Sequence, residues 1–484
     1  MKSILRKESV MKIINKAVTL LLIVSLVIMA DTIPVNADSS VRKTVSVCVN
    51  GTENISISAL EVNYDDNMYI SLKGLAYCLK DTAKAINVTV EANEINVETS
   101  ASFYENPGIF TEEELKDRPK WKLSRTPFYI DNVERKYYSL VAKTYEEEIY
   151  DAFLSPLRLA MAFNLDLQIK EGVIYINTDS DFNISDAQLE NSGYLQGINA
   201  LLIGDALTGG IYFSHNGQSA VPIASTSKLM TYYVMMDAVS NKEISLEDSV
   251  IISDNVRSLS EGIDGLVSFE GINEATLSDL IYAMLISSSN ECALAIAEHV
   301  AGSEELFVER MNAKVSELNL ENAEFYNCNG LPVYENQTLP AKMQNHMSAT
   351  DMFMLTASLV NTYPEILNIT SVKKISLPSL KYEAKNTNAL LYNMDGVMGL
   401  KTGTTNKSGA CLVVAIPVEK DNETHNLICV LFGAEGELDR ALVAEIASRI
   451  AISKLEGVKP ISDEKYEIVL EDPEIDVQRM LLNL

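Results

Sequence analysis

The hydrophobic pattern changes character near residue 190. Before that point, short runs alternate apolar and polar residues, as in Ile-Asn-Val-Thr-Val at 86–90 and Val-Ile-Tyr-Ile-Asn at 173–177. Such alternation is typical of strands that bury one face. After it, a hairpin at 201–214 is followed by a long series of helical segments. The pattern therefore predicts a strand-rich first part of the chain and a larger second part that contains both helices and strands.

The first part contains the same unit twice. Each copy has the pattern of a strand, a short helix and a hairpin of short strands, at residues 45–51, 69–79 and 86–97 and again at 129–132, 153–163 and 165–177. We therefore predict two small α+β modules, at 42–100 and 127–182, separated by a charged, proline-containing linker at 101–126. The modules resemble the small repeats, similar to the N-terminal domain of copper amine oxidases, that occur on exported proteins of Gram-positive bacteria. Neither copy contains a histidine, so the resemblance implies no metal site.

The second part begins and ends with strands. The run at 225–239 is apolar nearly all round, which marks a buried central helix, and strands at 410–416 and 427–432 close the region. Strands at both ends of a helical middle indicate one antiparallel sheet that is assembled from both ends of the domain and flanked by helices. We predict an α+β domain at 190–455, followed by a C-terminal tail at 456–484.

Local signals predict where other helices begin. Thr276 and Asp279 have the spacing of a capping box. Asn290 is predicted to cap a helix that ends near Gly302, and Ser303 is predicted to begin the next helix.

The first residues have the layout of a secretory signal peptide. Basic residues precede an uncharged apolar run at 17–30, and small residues at 35–37 suit a cleavage site. The apolar run is shorter than the roughly 20 residues that a membrane-spanning helix needs. We therefore predict a signal peptide at 1–37 and a secreted or cell-wall-associated protein, with an uncleaved membrane anchor as the alternative.

Composition narrows the function classes. The formal net charge of −28 argues against a nucleic-acid partner, because no basic stripe is present to neutralise phosphates. The four histidines are isolated, which disfavours both a zinc peptidase and a Ser-His-Asp triad. The six cysteines contain no C-x-x-C pair and predict no disulfide scaffold, although a bridge between Cys292 and Cys328 stays open. No metal or other cofactor is expected.

The buried helix offers a nucleophile and a base that need no histidine. Ser225-Thr226-Ser227-Lys228 opens it. There Ser225 lies at the positive end of the helix dipole, and Lys228 lies one turn later on the same face. A buried lysine can lose its proton near neutral pH and then accept the proton of a serine. Segments 40–43 and 371–374 also fit S-x-x-K, but only Ser225 combines the pattern with an apolar helix.

Two further motifs complete a three-part set. Ser288-Ser289-Asn290 breaks the chain between two predicted helices, and Lys401-Thr402-Gly403 precedes a predicted strand. With the serine and lysine of the buried helix, they stand in the order of the signature of penicillin-binding proteins and serine β-lactamases. Ser253-Asp254-Asn255 is a second candidate for the middle motif, but the residues at 285–299 resemble the corresponding segment of that family and favour Ser288.

The region at 195–455 resembles the D-alanyl-D-alanine carboxypeptidases of the low-molecular-weight penicillin-binding family, and further matching segments lie at 222–225, 329–331, 347–352 and 399–405. The resemblance implies a catalytic domain with the serine β-lactamase/transpeptidase-like fold. It also implies a serine-type D-Ala-D-Ala carboxypeptidase that acts on peptidoglycan stem peptides and is inhibited by β-lactam antibiotics.

By position, the resemblance implies a role for each candidate side chain. Ser225 is the nucleophile, Lys228 is its base, and Ser288 relays a proton to the departing D-alanine. The groups that bind the substrate are Asn290 at the peptide carbonyl, Lys401, Thr402 and Arg440 at the carboxylate, and the backbone N–H groups of Ser225 and Thr404 at the oxyanion. The alternative for Arg440 is an exposed arginine on a helix surface. Asn329 stands where the family often has a histidine.

Other readings stay open. A peptidoglycan D,D-endopeptidase belongs to the same family. A serine β-lactamase shares the three motifs, but the nearest match to its deacylating glutamate and asparagine is Glu365 with Asn368, at the wrong spacing. A non-catalytic penicillin sensor or wall-binding protein is the remaining alternative. The N-terminal modules are expected to associate with the cell wall and to take no part in catalysis.

Overall fold

The computed structural model describes residues 40–458, except 53–54, 63–66, 92–93, 100–119, 125–126, 136–138, 144–148, 171, 263–264 and 334–342. These residues form two compact units, one ending at Phe182 and the other beginning at Asn183. The predicted signal peptide at 1–37 lies outside the described residues, as does most of the predicted tail at 456–484. No helix in the described part of the chain is long and apolar enough to cross a membrane.

The first unit consists mainly of strands. Its helices are α1 (Leu72–Leu79) and α2 (Pro156–Ala162), and its strands are β1 (Ser40–Val49), β2 (Ile55–Val62), β3 (Asn67–Ser71), β4 (Ile86–Glu91), β5 (Glu94–Thr99), β6 (Lys120–Ser124), β7 (Phe128–Ile130), β8 (Val133–Arg135), β9 (Ser139–Lys143), β10 (Ile149–Leu154), β11 (Asp166–Lys170) and β12 (Val173–Asn177). An eight-stranded sheet has the order β11-β12-β1-β2-β3-β10-β9-β6, and a four-stranded sheet has the order β4-β5-β7-β8.

The two repeats are interleaved, which differs from the prediction of separate modules at 42–100 and 127–182. Strand β12 pairs in parallel with β1, β5 pairs in parallel with β7, and β3 pairs antiparallel with β10. Within the predicted linker at 101–126, Lys120–Ser124 forms strand β6 of the larger sheet. The local pattern predicts each strand, but pairing with a partner so distant along the chain depends on which faces are buried together, and the pattern does not show this.

Matching hydrogen bonds tie the repeats to each other. Asn50, in the turn after β1, accepts a bond from the backbone N of Thr178 (2.9 Å) and donates one to its hydroxyl (2.7 Å). Asp131, in the turn after β7, accepts bonds from the backbone N (2.8 Å) and the hydroxyl (2.5 Å) of Thr99. Both turn residues have a φ of 50°, which asparagine and aspartate tolerate better than most residues. The turn of each repeat thus holds the end of the other repeat's last strand.

The second unit carries a five-stranded antiparallel sheet with the order β14-β13-β23-β22-β21. Its strands are β13 (Ala200–Asp205), β14 (Ile211–His215), β15 (Val221–Pro222), β16 (Ser249–Ile251), β17 (Glu274–Thr276), β18 (His346–Met347), β19 (Lys374–Leu377), β20 (Tyr382–Lys385), β21 (Leu400–Thr405), β22 (Gly409–Lys420) and β23 (Glu423–Ala434). The first hairpin of the unit pairs with its last strand, β23. The predicted α+β class, with one sheet assembled from both ends of the domain, is thus confirmed.

Helices flank this sheet and fill the middle of the unit. They are α3 (Asp186–Asn191), α4 (Lys228–Ser240), α5 (Asp254–Ser260), α6 (Leu277–Tyr282), α7 (Asn290–Ala301), α8 (Glu304–Glu317), α9 (Ala349–Thr362), α10 (Glu365–Thr370), α11 (Leu390–Asn393) and α12 (Glu437–Glu456). Helices α9 and α12 pack against the sheet, whereas α4 packs against α7 and α8.

The buried central helix is α4, and it begins later than predicted. Ser225 lies in a 3₁₀ turn, Ala224–Ser227, and α4 itself begins at Lys228. The lysine, and not the serine, therefore occupies the start of the helix. All six cysteines are buried and free, so the bridge between Cys292 and Cys328 is absent.

Helix α7 has a different cap from the predicted one. Ser289, and not Asn290, is the N-cap, and its Oγ accepts a hydrogen bond from the backbone N of Cys292 at 3.1 Å. Asn290 is the first helical residue instead. Ser303 and Thr276 cap α8 and α6, as predicted.

Candidate active site

The candidate nucleophile and base are brought together by the turn that precedes α4. Lys228 is fully buried, and Ser225 is partly exposed. The Lys228 Nζ lies 2.9 Å from the Ser225 Oγ, a normal hydrogen-bond distance. The hydroxyls of Thr226 and Ser227 support the turn by donating to backbone carbonyls three residues earlier, at 2.6 and 2.7 Å.

Two further oxygens surround the Lys228 amine. Its Nζ lies 2.7 Å from the Asn290 Oδ1 and 2.7 Å from the backbone oxygen of Asn329. Both oxygens can only accept hydrogen bonds. When the amine is neutral, its two hydrogens are therefore directed at Asn290 and Asn329, and its lone pair faces the Ser225 hydroxyl. In that state Ser225 donates and Lys228 accepts, which is the geometry of a serine and its general base.

Burial gives this lysine the protonation state that a base requires. Loss of hydration destabilises the ammonium and lowers the pKa of Lys228 from 10.5 to about 7. A substantial fraction of the amine is consequently neutral near pH 7. A lysine with an ordinary pKa would be almost fully protonated at that pH and could not accept a proton.

The second motif reaches the base through its asparagine. Ser288 has a φ of 67° and follows the π-helical turn Ala283–Ser287, so this helical segment ends there before α7 begins. Ser289 then caps α7, and Asn290 contacts Lys228. Ser288 is partly exposed.

The residues of the competing motif at 253–255 make hydrogen bonds to groups other than Lys228. Ser253 is the N-cap of α5, and its Oγ accepts a hydrogen bond from the backbone N of Val256 at 3.1 Å. Asn255 is exposed and donates to the Glu298 Oε1 at 3.1 Å. The structure therefore brings Asn290, and not Asn255, to Lys228.

Two glycines allow the chain to pack closely around Ser225. A Cβ atom on Gly403, in β21, would lie 2.8 Å from the Ser225 backbone N. Gly330 has a φ of 88°, and a Cβ atom there would lie 2.0 Å from the Ala224 backbone O. A side chain at either position would displace the turn, so the third motif requires glycine at 403 for steric reasons.

Basic side chains concentrate next to this turn. Lys401 is buried, and its Nζ donates to the Thr402 backbone O at 2.9 Å. Burial lowers the pKa of Lys401 well below its ordinary value, and the charges of Lys228 and Arg440 lower it further. A carboxylate that binds beside these groups would favour their charged forms. The region therefore suits an anionic part of a ligand.

Arg440, on α12, contacts the outer end of β21. Its Nη1 lies 3.3 Å from the Thr404 Oγ1 and 3.3 Å from the Cys411 backbone O. Thr404 is exposed, whereas Arg440 is only 3% exposed. The alternative of a surface arginine is therefore wrong, because the guanidinium lies beneath the strand that carries the third motif.

Sequence reasoning missed Thr387. Its Oγ1 lies 2.6 Å from the Thr402 Oγ1, and its backbone N donates to the Ile286 O at 3.3 Å. Thr387 thus links β21 to the segment that carries Ser288. No spacing rule distinguishes it from other threonines, so only the fold reveals it.

Sequence reasoning singled out segment 329–331 but missed that the backbone oxygen of Asn329 contacts the base. The Asn327 Oδ1 accepts hydrogen bonds from the backbone N of Asn329 (3.2 Å) and of Gly330 (2.7 Å). The Asn329 side chain accepts a bond from the Leu331 backbone N at 2.8 Å. The backbone carbonyl of Asn329, and not its side chain, therefore contacts the base. The available signal is the run Asn-Cys-Asn-Gly at 327–330, which is typical of a turn.

Comparison with known proteins identifies the family of this chain. A family model described as D-alanyl-D-alanine carboxypeptidase, of the S11 peptidases, matches residues 194–436, half of the chain. The chain belongs to this family. The predicted resemblance to the low-molecular-weight penicillin-binding family is confirmed, while the resemblance of the N-terminal repeats and the role of each site residue stay predictions.

Individual relatives cover parts of the chain. D-alanyl-D-alanine carboxypeptidase DacF of Bacillus subtilis is 30% identical over 236 residues, 48% of this chain and 56% of that protein. A D-alanyl-D-alanine endopeptidase of Escherichia coli is 28% identical over 214 residues, 44% of this chain and 65% of that protein. The structure of PBP3 from Streptococcus pneumoniae, a peptidoglycan synthesis regulatory factor, has a TM-score of 0.48 at 30% identity, covering 54% of this chain and 72% of that one. The chain spans little more than half the length of the first curated relatives it matches.

Alanine substitutions at the two candidate relay serines, Ser288 and Ser253, are expected to have different effects. Ser288→Ala is expected to slow release of D-alanine from a D-Ala-D-Ala peptide by about 10²–10⁴, the range for a general acid–base group. Ser253→Ala removes a helix cap, so it is expected to lower the free energy of unfolding by about 1 kcal/mol and to leave the rate unchanged. Steady-state kinetics and thermal melts of both variants check this, and the reverse order of rates would assign the relay to Ser253.

Proposed function

We propose that this protein is a serine-type D-Ala-D-Ala carboxypeptidase that removes the terminal D-alanine from peptidoglycan stem peptides through an acyl-enzyme on Ser225. The observation that carries the proposal is the Lys228 amine. It is buried, has a pKa of about 7, and lies 2.9 Å from the Ser225 Oγ. Membership of the D-alanyl-D-alanine carboxypeptidase family supports it.

We propose the following reaction. The Ser225 Oγ attacks the carbonyl carbon between the two D-alanines while its proton moves to Lys228. The tetrahedral intermediate collapses when the nitrogen of the departing D-alanine receives a proton by way of Ser288, which leaves an ester on Ser225. Water then adds to the ester and gives up a proton to Lys228, and the Ser225 oxygen is reprotonated as the shortened peptide leaves.

The turn, β21 and helices α7 and α12 supply the groups that would hold the substrate. The backbone N–H groups of Ser225 and Thr404 stabilise the oxyanion, and Asn290 binds the peptide carbonyl. Lys401, Thr402 and the Arg440–Thr404 pair bind the terminal carboxylate, for which the concentration of buried basic groups is suited.

A D,D-endopeptidase is the second candidate, and one observation favours it. Relatives described as D-alanyl-D-alanine endopeptidases are 28% and 29% identical to this chain. A crosslinked peptide presents the same bond to Ser225 with a larger leaving group. A serine β-lactamase is less well supported, because Glu365 and Asn368 are three rather than four residues apart, and both are exposed residues of α10.

Penicillin labelling followed by turnover tests the proposal. We expect mass spectrometry to find one penicillin adduct, on Ser225, and purified protein to release D-alanine from a D-Ala-D-Ala peptide. Ser225→Ala should lose both, because the attacking oxygen is gone. Ser371→Ala, in another S-x-x-K segment, should keep both.

Three results would contradict the carboxypeptidase proposal. A penicillin adduct on Ser40 or Ser371 would assign the nucleophile to that serine instead. Acylation of Ser225 without any turnover would make the protein a penicillin sensor. Faster cleavage of crosslinked dimers than of D-Ala-D-Ala peptides would make it an endopeptidase.

We also propose that the protein is exported by its signal peptide, with an uncleaved anchor as the alternative, and that its first unit associates with the cell wall. Support for this comes from the pattern at 1–37 and from the position of all candidate site residues after Asn183.

A chain that starts at Asn183 is therefore expected to keep its rate of penicillin acylation and to lose retention on isolated cell walls. Loss of acylation, or unchanged wall retention, would contradict the proposal that the first unit binds the cell wall and takes no part in acylation.

A further inference from the structure

Thr387 lies beside the third motif but has no part in the proposed reaction. Its Oγ1 lies 2.6 Å from the Thr402 Oγ1 in β21, a short hydrogen-bond distance. Among the described residues, Thr387 is the one hydrogen-bond partner of the Thr402 hydroxyl. Thr402 is 5% exposed, whereas Thr387 is an exposed residue. A solvent-accessible threonine is therefore the partner of a nearly buried hydroxyl of the motif.

Two buried asparagines fix the backbone on either side of Thr387. The Asn386 Nδ2 donates to two backbone oxygens, at and just after the end of α10, both at 3.0 Å. The Asn386 Oδ1 accepts a hydrogen bond from the backbone N of Asn388 at 2.9 Å. The Asn388 Nδ2 donates to the backbone O of Gly399, directly before β21, at 3.3 Å. The segment is thus tied to β21, while the side chain between the two asparagines stays accessible.

Thr387 is also tied to the segment that carries Ser288. Its backbone N–H donates to the Ile286 O at 3.3 Å, and its Oγ1 lies 3.5 Å from the same oxygen. The Thr387 hydroxyl proton therefore has two acceptors within reach. The Thr402 Oγ1 is the nearer of the two by 0.9 Å, the difference between 3.5 and 2.6 Å, and a shorter contact is the stronger hydrogen bond.

A bound carboxylate would set the direction of the bond between the two threonines. A hydroxyl has one proton to donate, and an ionised carboxylate can only accept. When Thr402 donates its proton to a carboxylate, the proton shared with Thr387 must come from Thr387. Each hydrogen bond in such a chain polarises the next and strengthens it. The Thr387 hydroxyl would then both orient the Thr402 hydroxyl and make it a better donor.

We propose that Thr387 is a positioning residue for the terminal carboxylate of the substrate, and that its hydroxyl donates to the Thr402 Oγ1 so that the Thr402 proton is directed at the carboxylate. The inference rests on the proposed function, because Thr402 enters it as a carboxylate-binding group. Thr387 acts through Thr402 and not on the Ser225 hydroxyl. It therefore determines how strongly the site prefers a ligand with a free carboxylate.

Thr387→Val tests the hydroxyl while it keeps the branched shape of the side chain and the backbone N–H. We expect the second-order rate constant for acylation by penicillin to fall about three- to tenfold, the effect of one lost hydrogen bond. Acylation by penicillin methyl ester, which has no carboxylate, should fall less than about twofold, because bonds to a charged oxygen are roughly twice as strong as bonds to a neutral one. The ratio of the two rate constants is decisive, since damage to the fold or to Ser225 lowers both alike.

Thr387→Ser restores the hydroxyl and is expected to keep the wild-type ratio. Thr362→Val is the matched control, because Thr362 is an exposed threonine of α9 whose hydroxyl donates to the Ser358 backbone O at 2.8 Å. It should leave both rate constants unchanged. If the valine variant does not fold, Thr387→Ala decides by the same ratio.

Three results would overturn the role of Thr387. They are an unchanged ratio in a valine variant with the wild-type Tm, equal losses with the acid and the ester, and a serine variant that behaves like the valine variant.

The same assay separates this inference from the proposed function. If penicillin does not acylate the wild-type protein, the proposed function fails and the inference fails with it. If the acid and the ester acylate the wild-type protein equally fast, the carboxylate-binding role of Thr402 and the inference fail, while Ser225 remains the nucleophile. If the wild-type protein prefers the acid and Thr387→Val keeps that preference, only the role of Thr387 fails.

Discussion

The site depends on one arrangement, the burial of the Lys228 amine beside the Ser225 hydroxyl. An ammonium group that loses its water is strongly destabilised, and the pKa of Lys228 accordingly falls to about 7. The neutral amine that results is a base. The burial that removes the charge therefore also produces the group that can activate Ser225, and no histidine contributes to this pair. Asn290 and Asn329 orient the amine, because each accepts one hydrogen bond from it.

Segments that are distant in the chain create this environment. Helix α4 supplies the lysine, α7 supplies Asn290, and a loop supplies the Asn329 carbonyl. Strand β21 covers the nucleophile's turn from the other side, where Gly403 leaves room for the backbone of Ser225. The strand reaches that position because the sheet is assembled from both ends of the unit, with β21 at its edge. The fold thus encloses the amine while Ser225 stays partly exposed.

The chemistry could be predicted from the sequence more completely than the geometry. The apolar run after Ser225 and the order of the later motifs predicted a buried helix and a serine–lysine pair. The cap of α7 was predicted wrongly, because spacing does not show which of two adjacent polar residues turns back to the helix: Ser289 does, and Asn290 bonds to Lys228. The Asn329 carbonyl could not be predicted, since every residue has a carbonyl and only the fold selects one. The interleaving of the N-terminal repeats escaped prediction for a related reason, because the strand pattern is local and the pairing is not.

A direct titration of the Lys228 amine tests the central claim. Protein labelled with ¹⁵N at the lysine side chains, with Lys228 assigned from a Lys228→Arg variant, allows its Nζ signal to be followed by NMR as the pH changes. The account predicts a midpoint at about pH 7. A midpoint near the ordinary value of 10.5 would show that the buried amine stays protonated, and it would contradict the assignment of Lys228 as the base.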